Sequence, residues 1–482
     1  MSKHCYFGQT LSACNFARSG KCIGLMLAGF VFLWWHTNIA SAGHNRPDAV
    51  ASIQTSTQAE ETGVADSPDD VAAYIRRHGI ELGNFDDLQP LLDQAASSRL
   101  VLLGEASHGT SEYYVWRAEI SRRLIKEHGF DFVLVEGDWP LAFEVNRHVK
   151  HLENEPRTTR EVLQVFHRWP QWMWANEEVL DLIAWIKEYN RTHPPESRTG
   201  FYGMDMYAAP DAIKVVNGFL SVQHAELARE ADRYYGCFTR FRDPSAYLNN
   251  LRRTGEDCSE DMERVYSLLR DHERRFIGQD SLGYVNALKS ARMMVYYERH
   301  TRANLQSGPE SWNERVDFFH DTAQRLLERY GPDSRGIVWA HNTHIGDARA
   351  TTMANSGMRN IGQMARETYG MDQVFAVGFG TYRGAVLAGR RWEGPMQQMQ
   401  IPDAVQGSYE EVMYRSGVSP LLLMLHDSRN RPELMEPRGN RAVGVVYNPA
   451  RDSQDNFVPT ILPLRYDAFL FFSDTQALTP LD

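Results

Sequence analysis

The sequence predicts an α/β fold: a mainly parallel or mixed central sheet flanked by helices and carrying a large helical insertion. Three observations carry this reading. Short apolar runs recur, each ending in a polar residue or a glycine; helical patterns separate them; and from about Asp211 to Tyr330 the texture changes to long amphipathic stretches. With 482 residues, of which 43% are hydrophobic and 23% charged, the chain has the apolar mass for a large packed core, which excludes a disordered or fibrous class.

In chain order, the first segment differs from the rest. Lys3, Arg18 and Lys21 precede the apolar run Ile23 to Trp35, and Ala40-Ser41-Ala42 follows it. A basic start, an apolar stretch and a small-x-small exit are the parts of a secretory signal peptide over residues 1–42. The run is shorter than the ~20 residues that span a bilayer. Cleavage after Ala42 is therefore expected over an uncleaved anchor, giving a periplasmic or secreted protein with no stable membrane span. Cleavage removes three positive charges and no acid, taking the formal charge from −11 to −14. Such an acidic surface argues against nucleic acid or anionic lipid as partner. Three of the five cysteines leave with the leader; Cys237 and Cys258 remain, either paired or as two thiols. Residues 43–67 are polar and without periodicity, so they read as a flexible linker ahead of a folded region over 68–482.

Ser67, Pro68, Asp69 and Asp70 supply an N-cap, a first-turn proline and acids for a short helix continued by Val71, Tyr74 and Ile75. The apolar runs follow. Arg99–Gly104 leads into Glu105, Phe130–Val135 into Glu136, Phe201–Met204 into Asp205, Ile337–Ala340 into His341, and Val374–Val377 into Gly378. Runs of this length suit buried strands of a mainly parallel sheet. Between the first two, Tyr113, Trp116, Ile120, Leu124 and Ile125 mark one apolar helical face. Residues 211–330 read as a helical insertion covering one end of the sheet; a separate helical domain is the alternative, but no Gly/Pro/Ser-rich linker isolates it. The segments VGVVYNP, VPTILPL and DAFLFF near the end read as closing strands.

In open α/β sheets ligands sit beyond the carboxyl ends of the strands, where Glu105, Glu136, Asp205 and His341 fall. The turn GEASHG, Gly104 to Gly109, sets a carboxylate three residues before an imidazole, between glycines that permit close backbone approach. His108 there is either a general base whose other ring nitrogen is held by a carboxylate, or a turn histidine with a structural hydrogen bond. Arg117, nine residues on, is placed to pair with Glu105 or Glu136, to hold an oxyanion, or to lie on a solvated helix face. In EGDW, Glu136 to Trp139, one acid is a candidate to orient a histidine and the other to cap a helix. In VWAHNTHIGDAR, His341 and His344 stand three apart; with Glu105, His108 and Glu136 they offer mixed nitrogen and oxygen donors to a divalent metal. HExxH is absent and no cysteine pair is placed for zinc, so no cofactor is predicted and a divalent metal stays the alternative. There is no G-x-S-x-G elbow, no cysteine beside a histidine past the leader and no phosphate-binding loop, and GFGTYRG lacks dinucleotide-loop spacing. Water activated by a base is the nucleophile that remains.

The motifs VLLGEASHGT, FVLVEGDWP, FHRWPQWMWANEEV, FYGMD, SWNERVDFF, VWAHNTHIGDAR, VGFGTYRG and LPLRYDAFLFF occur in the order seen in the erythromycin esterase family, and over roughly Ala72 to Leu481 the chain resembles it. The resemblance implies an α/β core capped by helices and hydrolysis of a carboxylic ester without a serine nucleophile. It assigns the essential histidine to His108, its neighbouring glutamate to Glu105, the helix arginine to Arg117, the second-strand acid to Glu136 and the second histidine to His341. Asp205, Asn313, Arg315 and His344 match recurrent positions and are substrate-binding candidates. The chain is more similar to the functionally mixed branch than to the macrolide-resistance enzymes, which open a macrolactone, so the expected partner is a small-molecule ester of unspecified identity. A metal-dependent hydrolase and a non-catalytic exported protein binding a ligand or haem are the competing readings.

Overall fold

The computed structural model describes residues 68–153 and 155–481 of the 482. The expected leader, the linker and the N-cap Ser67 lie outside these residues; the helix expected after them spans Pro68–His78. In strand β2 (Leu100–Leu103) every side chain is buried, because the sheet is covered on both faces. Leu100 and Leu102 enter one hydrophobic cluster, and Val101 and Leu103 the other. The same alternation in β3 (Phe132–Asp138) sends Phe132 and Leu134 to the first cluster, Val133 and Val135 to the second. The helix Ser111–His128 covers the second face with the apolar set read from its sequence, Tyr113, Trp116, Ile120, Leu124 and Ile125. It ends at Gly129, whose φ of 69° is left-handed backbone that glycine adopts at little cost.

Among the described residues nine strands form the main sheet. With β1 (Ile80–Glu81), β4 (Gly200–Asp205), β5 (Gly336–Trp339), β6 (Val374–Gly389), β8 (Leu421–Met424) and β11 (Ala468–Thr475), the order is β1-β8-β11-β6-β2-β5-β3-β4. β7 (Met396–Ile401) pairs antiparallel with the outer half of β6. From β11 to β4 neighbouring strands are parallel, while β8 runs antiparallel to β11 and β1 to β8. Leu103 stands opposite both Val377 and Trp339, and Val135 opposite Trp339 and Gly203. This register brings the carboxyl ends of β2, β3, β4 and β5 to one edge, level with Val377 in β6. No helix among the described residues is long and apolar enough to cross a membrane.

Several expectations change. β6 runs on past Val377 to Gly389, because beyond the end of β2 it gains β7 as partner, and Gly378 and Gly380 leave room for the ring of Phe469. The segment VGVVYNP forms only isolated bridges, Val443 to Ser107 and Val446 to Gly389. VPTILPL contributes β10 (Phe457–Thr460), paired with β9 (Arg438–Arg441) in a separate hairpin. DAFLFF forms the last strand as expected, and as β11 it lies inside the sheet between β8 and β6. Residues 209–330 form six helical segments, from Ala209–Gln223 to Glu310–Tyr330. Their apolar sides share a cluster with one face of the sheet, and the last packs on the edge strand β4, so the insertion lies against a face as well as reaching the strand ends. Cys237 and Cys258 form a disulfide that ties the helix Ala225–Thr239 to the start of Ser259–Asp271.

Candidate active site

The turn after β2 is held from both sides by close packing. A side chain on Gly104 would run into the amide of Asn342, and one on Gly109 into the backbone of Leu387 in β6. Asn342 uses the room over Gly104 to reach β6: its Nδ2 donates to the carbonyl of Phe379 at 2.7 Å, and its backbone N–H donates to the carbonyl of Glu105 at 2.9 Å. One amide thus joins the ends of β5, β2 and β6 and fixes where Glu105 and His108 project.

Within that turn the Glu105 carboxylate divides its two oxygens. Oε1 lies 2.8 Å from Nδ1 of His108, and Oε2 accepts from Nη2 of Arg117 at 2.7 Å. Arg117 is wholly buried, its guanidinium stacked on the rings of Tyr114 at 4.3 Å and Trp339 at 4.5 Å. It is therefore not on a solvated face; of the partners the sequence allowed it, it pairs with Glu105. Burial alone would lower the pKa of His108, but the hydrogen bond and charge of Glu105, joined by the charge of Glu136, outweigh it and raise the imidazole above its ordinary 6.5.

Glu136 lies beside His108 and supports it by charge rather than by a hydrogen bond. Its Oε2 accepts the backbone N–H of His341 at 2.9 Å, and its Oε1 accepts from Nη2 of Arg315 at 2.8 Å and lies 3.3 Å from Nε2 of His344. Burial would raise this carboxyl, yet the charges of His344 and Arg315 hold it well below the usual carboxylate range. Arg315 also clamps Asp205 through two bonds, Nε to Oδ1 at 3.0 Å and Nη2 to Oδ2 at 2.6 Å. His344 stacks on Trp312 with ring centroids 4.5 Å apart.

The ring of His341 lies 4.8 Å from that of His108. Its Nδ1 accepts the backbone N–H of Thr343 at 3.3 Å and meets the Thr343 hydroxyl at 2.8 Å, while its Nε2 is buried and makes no well-aligned hydrogen bond among the described residues, the backbone of Ala106 lying near the ring. Burial and the neighbouring His108 push the pKa of His341 well below 6.5, so the ring is neutral, and this bonding assigns its proton to Nε2. The result is a neutral N–H donor beside the candidate base.

Eight of the nine sequence candidates therefore meet in one buried constellation. The ninth, Asn313, does not: its amide donates to the carbonyl of Gly357 and accepts from the N–H of Arg359, tying down a loop, because it projects from the helix on a different side from Arg315. Asp138 is not a side-chain cap; it accepts from Nε of Arg168 at 2.8 Å and from the N–H of Ala208 at 2.9 Å. Sequence reasoning missed Arg168, Tyr207 and Trp312. Only their place within or beside the FHRWP, FYGMD and SWNERVDFF motifs could have signalled them.

Glu105, His108 and Glu136 bring donor atoms within 4.8 Å of one another, the minimum for a divalent ion. The set does not fit one. Each carboxylate oxygen already accepts a hydrogen bond, and two of the donors are the guanidiniums of Arg117 and Arg315, whose positive charges oppose a cation at the same atoms.

The structure is that of an α/β protein with a carboxylate-backed histidine at the strand ends. The chain belongs to the erythromycin esterase family, whose model, described as erythromycin esterase, matches residues 125–475. That span holds Glu136, Asp205, Arg315, His341 and His344 and begins after the GEASHG turn. Among proteins of known name, the chain is 22% identical over 374 residues to erythromycin esterase type II of Escherichia coli, covering 73% of this chain and 85% of the relative. It is 21% identical over 342 residues to YbfO of Bacillus subtilis strain 168, which is named a hydrolase, covering 65% and 72%. Among solved structures, a Bacillus cereus protein superposes with a TM-score of 0.72 at 18% identity, over 86% of this chain and all of that one. A succinoglycan biosynthesis protein gives 0.69 at 20% identity over 87% and all, and a mutant erythromycin esterase in its open conformation gives 0.58 at 15% over 81% and 94%. These likenesses establish the fold.

Proposed function

We propose that the protein hydrolyses a carboxylic ester of a small molecule with water as nucleophile and His108 as general base. The observation that carries this is the 2.8 Å contact between His108 Nδ1 and Glu105, which leaves Nε2 of the imidazole to take a proton. Of the five catalytic candidates, His108 is the most exposed, at 8%, so water and substrate meet it first. Glu105, anchored by Arg117, orients the ring and stabilises its charged form. As the attacked carbonyl gains negative charge, Nε2–H of His341 is the neutral donor that answers it, and Arg315 supplies positive charge from the far side of Glu136. Arg117 has no part in that step.

The disulfide Cys237–Cys258 supports export, since such a bond persists in an oxidising compartment. Amino-terminal sequencing of protein recovered from the periplasm or medium tests this reading; a start at Gly43 supports it and an intact Met1 refutes it. The catalytic reading is tested with a panel of macrolides, aryl esters and acylated saccharides. His108→Ala is expected to lose more than about 10²-fold in kcat on any ester the wild type turns over. Near-normal turnover by a folded His108→Ala variant ends the proposal.

A further inference from the structure

Two walls lead outward from the reaction centre. Along one, the Gly109 carbonyl accepts from the N–H of Leu387 at 3.0 Å, and two residues further along β6 Gly389 packs against the indole of Trp169. Along the other, Asp138 follows Glu136 by two residues and binds Arg168, which immediately precedes Trp169. The guanidinium of Arg168 lies 5.2 Å from the ring centre of Tyr207, and that of Arg315 lies 5.3 Å from the same ring. Both walls arrive at one corner, where the indole of Trp169 meets that of Trp392, from the β6–β7 turn, at 4.6 Å and 61°.

The corner is built rather than incidental. Trp169 is backed by the buried Trp172 at 5.4 Å, and its Nε1 is spent on the carbonyl of Gly394 at 2.9 Å, so the ring is fixed in place. Trp169 and Trp392 are both half-buried. Arg168 is fixed through Nε on Asp138 and through Nη1 on the carbonyl of Trp169 at 2.6 Å, which leaves Nη2 without a hydrogen bond among the described residues. Its side chain remains 30% exposed.

We propose that Arg168, Trp169 and Trp392 form a subsite for a pyranose ring, so that the ester hydrolysed is one carried on a sugar. This rests on the ester-hydrolase reading above. A pyranose presents a flat C–H face, which an indole covers well, and a rim of hydroxyls, one of which accepts from Nη2 of Arg168. A bare aryl group would fill the corner equally well but would shield that N–H from water with nothing to accept it.

The test uses the full chain. Wild type, Trp392→Ala and Trp392→Phe are assayed on ethyl acetate, phenyl acetate and a 6-O-acetylated methyl glucopyranoside, and are titrated with methyl glucopyranoside under indole fluorescence. In Trp392→Ala the ratio of kcat/KM for the acetylated glucoside to that for ethyl acetate is expected to fall at least about tenfold, through KM. Trp392→Phe restores much of it, and the glycoside perturbs wild-type fluorescence but not that of the alanine variant. An unchanged ratio, or a greater loss on phenyl acetate than on the glucoside, overturns the proposal. Should the alanine variant not fold, absence of any fluorescence response in the wild type overturns it as well. If the glycoside binds while no ester is turned over, the hydrolase reading fails and the subsite stands.

Discussion

His108 and Glu105, three residues apart in one turn, face each other at 2.8 Å with Arg117 bonded to the opposite oxygen of the same carboxylate. The imidazole pKa is therefore set mainly by a balance between burial, which lowers it, and Glu105, which raises it past 6.5. As a base His108 works when neutral, so kcat/KM should rise with pH through that raised value. Glu105→Gln removes the charge. The midpoint of the acidic limb is expected to move to lower pH while the plateau drops by about 10²-fold, read from a pH-rate profile. A limb that stays in place would show that Glu105 does not govern the base.

Arg315 is the shared partner of two buried carboxylates from different strands, Glu136 and Asp205. Arg315→Met leaves Asp205 without its ion-pair partner and Glu136 with His344 alone, and is expected to cost about 3–5 kcal/mol in a thermal or denaturant melt. The pH dependence has a definite sign. A carboxyl depressed in the folded state stabilises above its unfolded value, near 4.5 for Glu136, and loses that contribution as pH falls. The gap in melting temperature between wild type and variant should be widest above pH 4.5 and narrow below it.

Because every oxygen of Glu105 and Glu136 is already bonded and two guanidiniums border the site, prolonged chelation followed by gel filtration should leave ester turnover within about twofold of the untreated protein. Loss of activity restored by zinc or manganese would contradict this donor-set argument.

The disulfide closes a loop across a sequence separation of 21 within the helical region. By loop-closure entropy, Cys258→Ser should lower stability by about 3 kcal/mol. The check is a denaturant midpoint measured with and without reductant: the wild type shifts on reduction and the variant does not.

The features legible in the sequence were local ones. GEASHG announced itself because its carboxylate and imidazole share a single turn, and the helix Ser111–His128 because its apolar face repeats within eighteen residues. The roles of Arg117 and Glu136 were not legible, since the choice among their possible partners depends on side-chain direction. Arg315 reaches partners 110 and 179 residues away, and Asn313, two positions before it, leaves the helix on another side; spacing alone cannot rank the two. The length of β6 and the interior position of β11 depended on strand pairing, which apolar runs do not encode.

That interior position bears on how the molecule assembles. β8 touches the rest of the sheet only through β11, and β1 only through β8, so residues 80–81, among the earliest in the described chain, wait for 468–475 to dock. Closing so wide a loop before any pairing compensates it is entropically costly, and places this step late in folding. A polypeptide lacking the β11 segment would strand β1 and β8 apart from β6, with the flank of β6 bare and open to pairing with other chains.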